Sequence, residues 1–394
     1  MRIPGFRFAG VSAGIKKTGK PDVALLVSSA LAAAAGVFTK NQVKAAPVCL
    51  SQERIRKGRL RGIVVNSGNA NAATGARGLG DAQDMARVAA LAAGCDEADF
   101  CVASTGVIGV PLPMDRVRDG IALAARELAE DGFERFALAI LTTDRGPKIH
   151  VVKTRLCGRE ITLAGCAKGA GMIAPNMATT LAFVATDAAL CTKWARALLR
   201  EEANATFNAV SVDGDTSTND SLFLLASGAS AAPRVTCDDR AGKIFRSALR
   251  EVLSSLSTML VRDGEGATHV VRIHVAGAKT ERDARAVAYR IAHSPLVKTA
   301  IFGADPNWGR ILAAVGNAGV RIDPLRIDID FDDVPVVRRG VFAGHGDTEA
   351  RAHEVMTRPE YSIRVNLHAG RKASAFTTCD LTREYVSINA DYRS

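Results

Sequence analysis

Apolar and polar positions follow two rhythms along this chain, one of period two and one of period near 3.6. Ile63 to Val65 reads as a short strand running into Asn66-Ser67-Gly68-Asn69-Ala70-Asn71, a cluster of turn formers that predicts a loop. Asp81 to Ala93 places Met85, Val88, Ala89 and Ala92 on one face of a helix. Asp115 offers an N-cap for another helix, which Gly132 would close. Ile149–Leu156 and Ile161–Ala167 read as strands joined by a turn at Cys157-Gly158-Arg159-Glu160. Leu181–Thr186 and Val270–Val275 are further expected strands, and 195–207, 243–260 and 281–292 expected helices. The C-terminal part reads as strands at 327–331, 336–341, 362–367 and 373–378. The second of these is started after Pro335, which has no N–H to give a ladder. Mixed runs of both element types predict an α+β fold of layered α/β sheets, with a smaller C-terminal α/β unit from about residue 280.

The composition fits a globular protein. Of 394 residues, 47% are hydrophobic and 23% charged, which excludes a disordered or collagen-like chain. The longest uncharged stretch, Val23 to Thr39, is alanine-rich with two serines and a glycine, short of the ~20 apolar residues of a membrane span. No membrane association is expected. The net charge of +10 permits a nucleic-acid or acidic small-molecule partner. Aromatics are only 5%, too few for stacking platforms, so the basic run Arg54, Arg56, Lys57, Arg59 and Arg61 reads as a solvated face and no nucleic-acid partner is expected. Eight cysteines without CxxC spacing, and no signal segment at the N-terminus, predict reduced thiols in a cytoplasmic protein. The histidines have no metal-ligand spacing: His269 and His274 lie five apart on an expected strand and face opposite sides, so no metal site is expected.

Several segments dense in Gly, Asn, Thr and Asp stand out, among them 104–109, 142–146, 168–180, 213–221, 263–266 and 305–310. The sharpest runs Lys168-Gly-Ala-Gly-Met-Ile-Ala-Pro-Asn-Met-Ala-Thr-Thr180 straight into the strand at Leu181. A cut before a hydroxyl residue here would free an α-amine of pKa ~7.7–8.0. That amine can act as general base for its own residue's hydroxyl, so no histidine is required. Thr179 and Thr180 both qualify on the residues alone.

These segments, taken in order, resemble the ornithine acetyltransferases of arginine biosynthesis, also called glutamate N-acetyltransferases. The resemblance runs from Gly5-Phe6-Arg7 through Asn66-Ser67-Gly68-Asn69-Ala70-Asn71, Ser104-Thr105-Gly106-Val107, Thr142-Thr143-Asp144 and Lys168–Thr179. It continues through Asp213-Gly214-Asp215-Thr216, Asp263-Gly264-Glu265-Gly266 and Asp305-Pro306-Asn307-Trp308 to Ile388-Asn389-Ala390-Asp391. It implies a self-processing fold of N-terminal-nucleophile type, cut between Ala178 and Thr179 into an alpha chain, 1–178, and a beta chain, 179–394. Two of each chain would form a heterotetramer. Thr179 would be the nucleophile, and Thr105 and Gly106 the oxyanion hole. Thr142, Lys168, Thr179, Glu265, Asn389 and Ser394 would contact the amino-acid substrate. The implied reaction moves acetyl from N2-acetyl-L-ornithine to L-glutamate by a ping-pong route, without a bound cofactor. Acetyl-CoA as an additional donor stays open, as does a related self-processing hydrolase or aminopeptidase with water as acceptor. Two positions depart from the family pattern: Thr180, where an apolar residue is usual, and Ala170, where serine is common.

Overall fold

The computed structural model describes residues 1–174 and 180–391. Its strands, in chain order, are β1 Phe6–Val11, β2 Val23–Phe38, β3 Arg59–Asn69, β4 Phe100–Val107, β5 Lys148–Leu156, β6 Arg159–Lys168, β7 Leu181–Thr186, β8 Val210–Ser211 and β9 Ser221–Ala226. They continue as β10 Val270–Ala278, β11 Asp328–Phe331, β12 Val334–Arg338, β13 Val341–Phe342, β14 Glu360–Asn366 and β15 Lys372–Cys379.

Two mixed sheets result. The first runs β4-β3-β2-β9-β7-β6-β5, with β1 also on β2. The alanine-rich stretch is the long strand β2, whose first half pairs β1 and whose second half pairs β9. β7 lies between β9, to which it is parallel, and β6, to which it is antiparallel. Every residue of β7 is buried. Its side chains still alternate: Ala182 and Val184 enter a core with the helices Thr192–Ala205 and Arg240–Arg262, while Leu181, Phe183 and Ala185 enter the core on the opposite face. In that second core Phe183 stacks on Phe223 at 5.6 Å and meets Phe136 edge-on at 5.1 Å.

The second sheet runs β13-β12-β11-β14-β10-β15-β8. It therefore draws on β8 and β10, which precede residue 280. The helices Glu281–Ala292, Trp308–Gly316 and Thr348–Met356 cover it through one core that includes Val287, Val315 and Val355.

Several sequence expectations need correction. Asn66 to Asn69 are not loop but the end of β3, because their polar groups are paired inside the protein: Ser104 Oγ donates to Asn66 Oδ1 at 2.6 Å and Ser67 Oγ to the Ala139 carbonyl at 2.6 Å. The helix over 81–93 starts at Gly75, and it buries Ala82, Met85, Ala86 and Ala89 while Ala92 is exposed. Asp115 is not a cap. Its helix, Met114–Arg126, starts from Pro113, and Gly132 instead precedes a separate helix, Phe133–Ala139. β12 includes Pro335, tolerated where the register against β11 shifts between Ile329 and Asp330. Arg54, assigned to a solvated face, is largely buried and donates to Glu97 Oε1 at 2.6 Å. Among the described residues no helix is long and apolar enough to cross a membrane.

Candidate active site

Strand ends of the first sheet (β4, β6 and β7), the loops at 142–143, 213–220 and 265, and Tyr385 and Asn389 of the last helix line a pocket of about 240 Å³. That is below the ~300–1,000 Å³ of drug-sized sites and suits something the size of an acylated amino acid.

The pocket's floor depends on a close approach of two strands. β3 and β4 run parallel, and Gly68 lies beside Gly106. Gly106 has φ +133, and a Cβ there would sit 2.3 Å from the Gly68 carbonyl carbon and 2.5 Å from Asn69 N. Only glycine satisfies both the dihedral and the contact. Asn219 holds the surroundings, its Nδ2 donating to the carbonyls of Ala70 at 2.6 Å and Ser104 at 2.8 Å.

Lys168, the last residue of β6, reaches into the pocket, and its Nζ donates to Thr105 Oγ1 at 3.1 Å. That bond occupies an acceptor position of the Thr105 hydroxyl and leaves its proton to be given elsewhere. Lys168 is buried, which pulls its pKa below the ordinary 10.5. Asp144 works against that fall, Lys148 adds to it, and Asp220 and Glu265 oppose it. For Asp144 itself, burial would raise the carboxyl, but Lys168, Lys148 and the N–H of Thr142 outweigh it and hold the pKa at about 2. Asp220, 2% exposed and facing the same pocket, has its Oδ2 buried with no hydrogen-bond partner. Burial raises it well above the usual carboxylate range, with Lys168 and Ser217 pulling the other way.

A second carboxylate, Glu265, also lines the pocket. Glu265 Oε2 accepts from Asn389 Nδ2 at 2.9 Å, and the Glu265 N–H donates to the Ala170 carbonyl at 2.8 Å. A Cβ on Gly171 would lie 2.3 Å from Glu265 Oε2, so the glycine makes room for the carboxylate. Thr180 turns its hydroxyl back onto the Lys168 carbonyl.

Of the residues singled out from the sequence, Thr105, Gly106, Thr142, Lys168, Glu265 and Asn389 all line this one pocket. Ala178, Thr179 and Ser394 lie outside the described residues. Sequence reasoning missed Asp220, Asn219 and Asp213 as pocket residues, although the Gly/Asp/Thr-rich segment holding them was visible. Outside the pocket lining, burial lowers the pKa of Lys16 to about 8, with Asp22 resisting and Lys168 reinforcing the fall. Among the described residues no group of His, Cys, Asp or Glu is arranged to hold a metal ion.

A layered α/β body whose small pocket holds a buried lysine and a carboxylate is suited to small zwitterionic molecules. The comparisons make this specific. The model of the ArgJ family matches residues 7–394. The arginine biosynthesis bifunctional protein ArgJ of Geobacter sulfurreducens is 49% identical over 394 residues, covering 100% of both chains. That of Syntrophotalea carbinolica is 47% identical, again over 100% of each chain. The crystal structure of ArgJ from Bacillus halodurans is 38% identical with a TM-score of 0.52, covering 53% of this chain and 98% of that one. This chain belongs to the ArgJ family.

Proposed function

We propose that this protein cuts itself between Ala178 and Thr179 and then carries acetyl from N2-acetyl-L-ornithine to L-glutamate on the Thr179 hydroxyl. The observation that carries the reading is the convergence of Lys168, Thr105, Gly106, Glu265 and Asn389 on one pocket at the entry to β7, where Thr180 also sits. Lys168 matches the substrate's α-carboxylate, and Glu265 its side-chain ammonium. Asn389 orients Glu265, Thr142 adds a hydroxyl to the wall, and Ser394 completes the substrate contacts. The buried Thr180 hydroxyl is engaged with the Lys168 carbonyl, which favours Thr179 over its neighbour as nucleophile. A Bacillus halodurans chain that is covered almost completely, yet spans 53% of this one, is what a processed beta chain starting at 179 would give.

In processing, the Thr179 hydroxyl attacks the Ala178 carbonyl and water hydrolyses the resulting ester. The freed α-amine then takes the proton of its own hydroxyl, which attacks the acetyl carbonyl. The Thr105 hydroxyl and the Gly106 N–H receive the oxyanion, a contribution of ~2.7–4 kcal/mol per donor in acyl-transfer sites. Ornithine leaves with the proton, and glutamate takes the acetyl group from the enzyme. The cycle needs no bound cofactor; acetyl-CoA would enter as a second donor. Two alpha and two beta chains make the assembly, which works in the cytoplasm.

The direct test is transfer of labelled acetyl from N2-acetylornithine to glutamate by processed enzyme, against release of free acetate. Acetate without acetylglutamate would move the protein to the hydrolases. The pH dependence offers a second check. The turnover number should rise through about pH 8 as the Thr179 amine loses its proton. KM for N2-acetylornithine should rise on the alkaline side, because the lowered pKa of Lys168 costs the pocket its ammonium at a pH where a free lysine keeps it. A KM that stays flat to about pH 10 would remove Lys168 from carboxylate binding.

A further inference from the structure

Lys148 lies at the start of the edge strand β5, is 4% exposed and does not line the pocket. Its ammonium nevertheless joins two carboxylates that stand behind the pocket lining, Asp144 two residues after Thr142 and Asp263 two residues before Glu265. Nζ donates to Asp144 Oδ1 at 2.6 Å and to Asp263 Oδ2 at 2.5 Å.

Asp144 organises the lysine end. Its Oδ1 also accepts the N–H of Gly169 at 2.6 Å, next to Lys168, and its Oδ2 the N–H of Thr142 at 3.0 Å. Asp263 organises the glutamate end. It caps the C-terminus of the helix Arg240–Arg262, accepts the Arg145 N–H at 3.1 Å, and stands two residues before Glu265. One enclosed ammonium therefore ties the loop carrying Thr142 to the turn carrying Glu265. Without it, two carboxylates would face each other at short range, and their repulsion would load the backbone ties that remain, the Arg145 N–H to Asp263 and the Glu265 N–H to the Ala170 carbonyl.

We propose that Lys148 is a positioning residue that fixes the separation of the pocket's two charged ends, and through it the length of amino acid the site accepts. This rests on the reading that Lys168 takes the α-carboxylate and Glu265 the side-chain ammonium. Ornithine and lysine differ by one methylene, a difference a fixed pocket discriminates by ~10–200-fold and a slack one does not.

The test uses processed full-length enzyme and compares kcat/KM for N2-acetylornithine and N2-acetyllysine. In Lys148→Met, kcat/KM for N2-acetylornithine should fall by at least ~10-fold and that for N2-acetyllysine by less than ~3-fold, so the preference collapses. A purely structural lysine would lower both in step, and a ratio within about twofold of wild type overturns the inference. If Lys148→Met yields no folded protein, Asp263→Asn breaks the tie from the other side, and the same ratio decides. Wild-type enzyme that transfers no acetyl from N2-acetylornithine overturns the reading of the site. Wild-type enzyme that transfers it, beside a variant with an unchanged ratio, overturns this inference alone.

Discussion

Thr179→Ala should give a single uncut chain that transfers no measurable acetyl. On the proposed route the substitution removes the hydroxyl that would attack the Ala178 carbonyl, so the α-amine needed later would not be released. It also removes the atom that would carry the acetyl group. Deleting the nucleophile of an acyl-transfer enzyme costs on the order of 10⁶-fold in turnover, and here the base disappears with it. A denaturing gel with intact mass reads the cut, and acetylglutamate formation reads the activity. Thr180→Ala is the control, since that hydroxyl is bonded to the Lys168 carbonyl. It should still be cut, with a new N-terminus at Thr179. A cut Thr179→Ala chain, or a wild-type terminus at Thr180, would move the nucleophile by one residue and sink the assignment.

Gly106→Ala should lower turnover and stability together. The added carbon would lie 2.3 Å from the Gly68 carbonyl carbon and 2.7 Å from Gly68 Cα, backbone that cannot swing aside. The φ of +133 adds strain for any L side chain, about 1–3 kcal/mol. β3 and β4 must separate to admit it, and Thr105 moves with them. A displacement near 1 Å costs ~100-fold in well-oriented catalysis. We expect turnover to fall at least that far, with a lower melting temperature and KM changed less than kcat. An enzyme retaining half of wild-type turnover would show that the strand contact does not position the oxyanion site.

How far the sequence could be read depended on where each residue's partners lie. β7 and the helix Glu281–Ala292 were legible because their apolar spacing and caps are local. The end of β3 was not, since Asn66 and Ser67 resemble a loop until Ser104 and the Ala139 carbonyl arrive from distant segments to satisfy them. Pro335 misled in the same way, because the register shift that accommodates it belongs to the pairing with β11. Within the site, Thr105, Gly106, Thr142, Lys168, Glu265 and Asn389 were found through motifs, and the fold gathers them. Lys148 gave no signal. A lysine heading an edge strand looks like surface until Asp144 and Asp263 close on it.

The strand order of the first sheet bears on how the protein can be made. Reading β4-β3-β2-β9-β7-β6-β5, the central pair β9 and β7 comes from beyond residue 179, and the strands on both flanks come from before it. After a cut at 178/179 the two pieces are interleaved, each side of the junction zipped by six residue pairs. The second sheet lies wholly in the later piece, but neither piece owns the whole of the first sheet, so neither is expected to complete that layer and its pocket by itself. The precursor must reach its native state first. Unfolding after the cut turns refolding from a first-order into a second-order process, slower as the protein is diluted. Self-cleavage would thus act as a one-way ratchet, trading reversibility for a nucleophile.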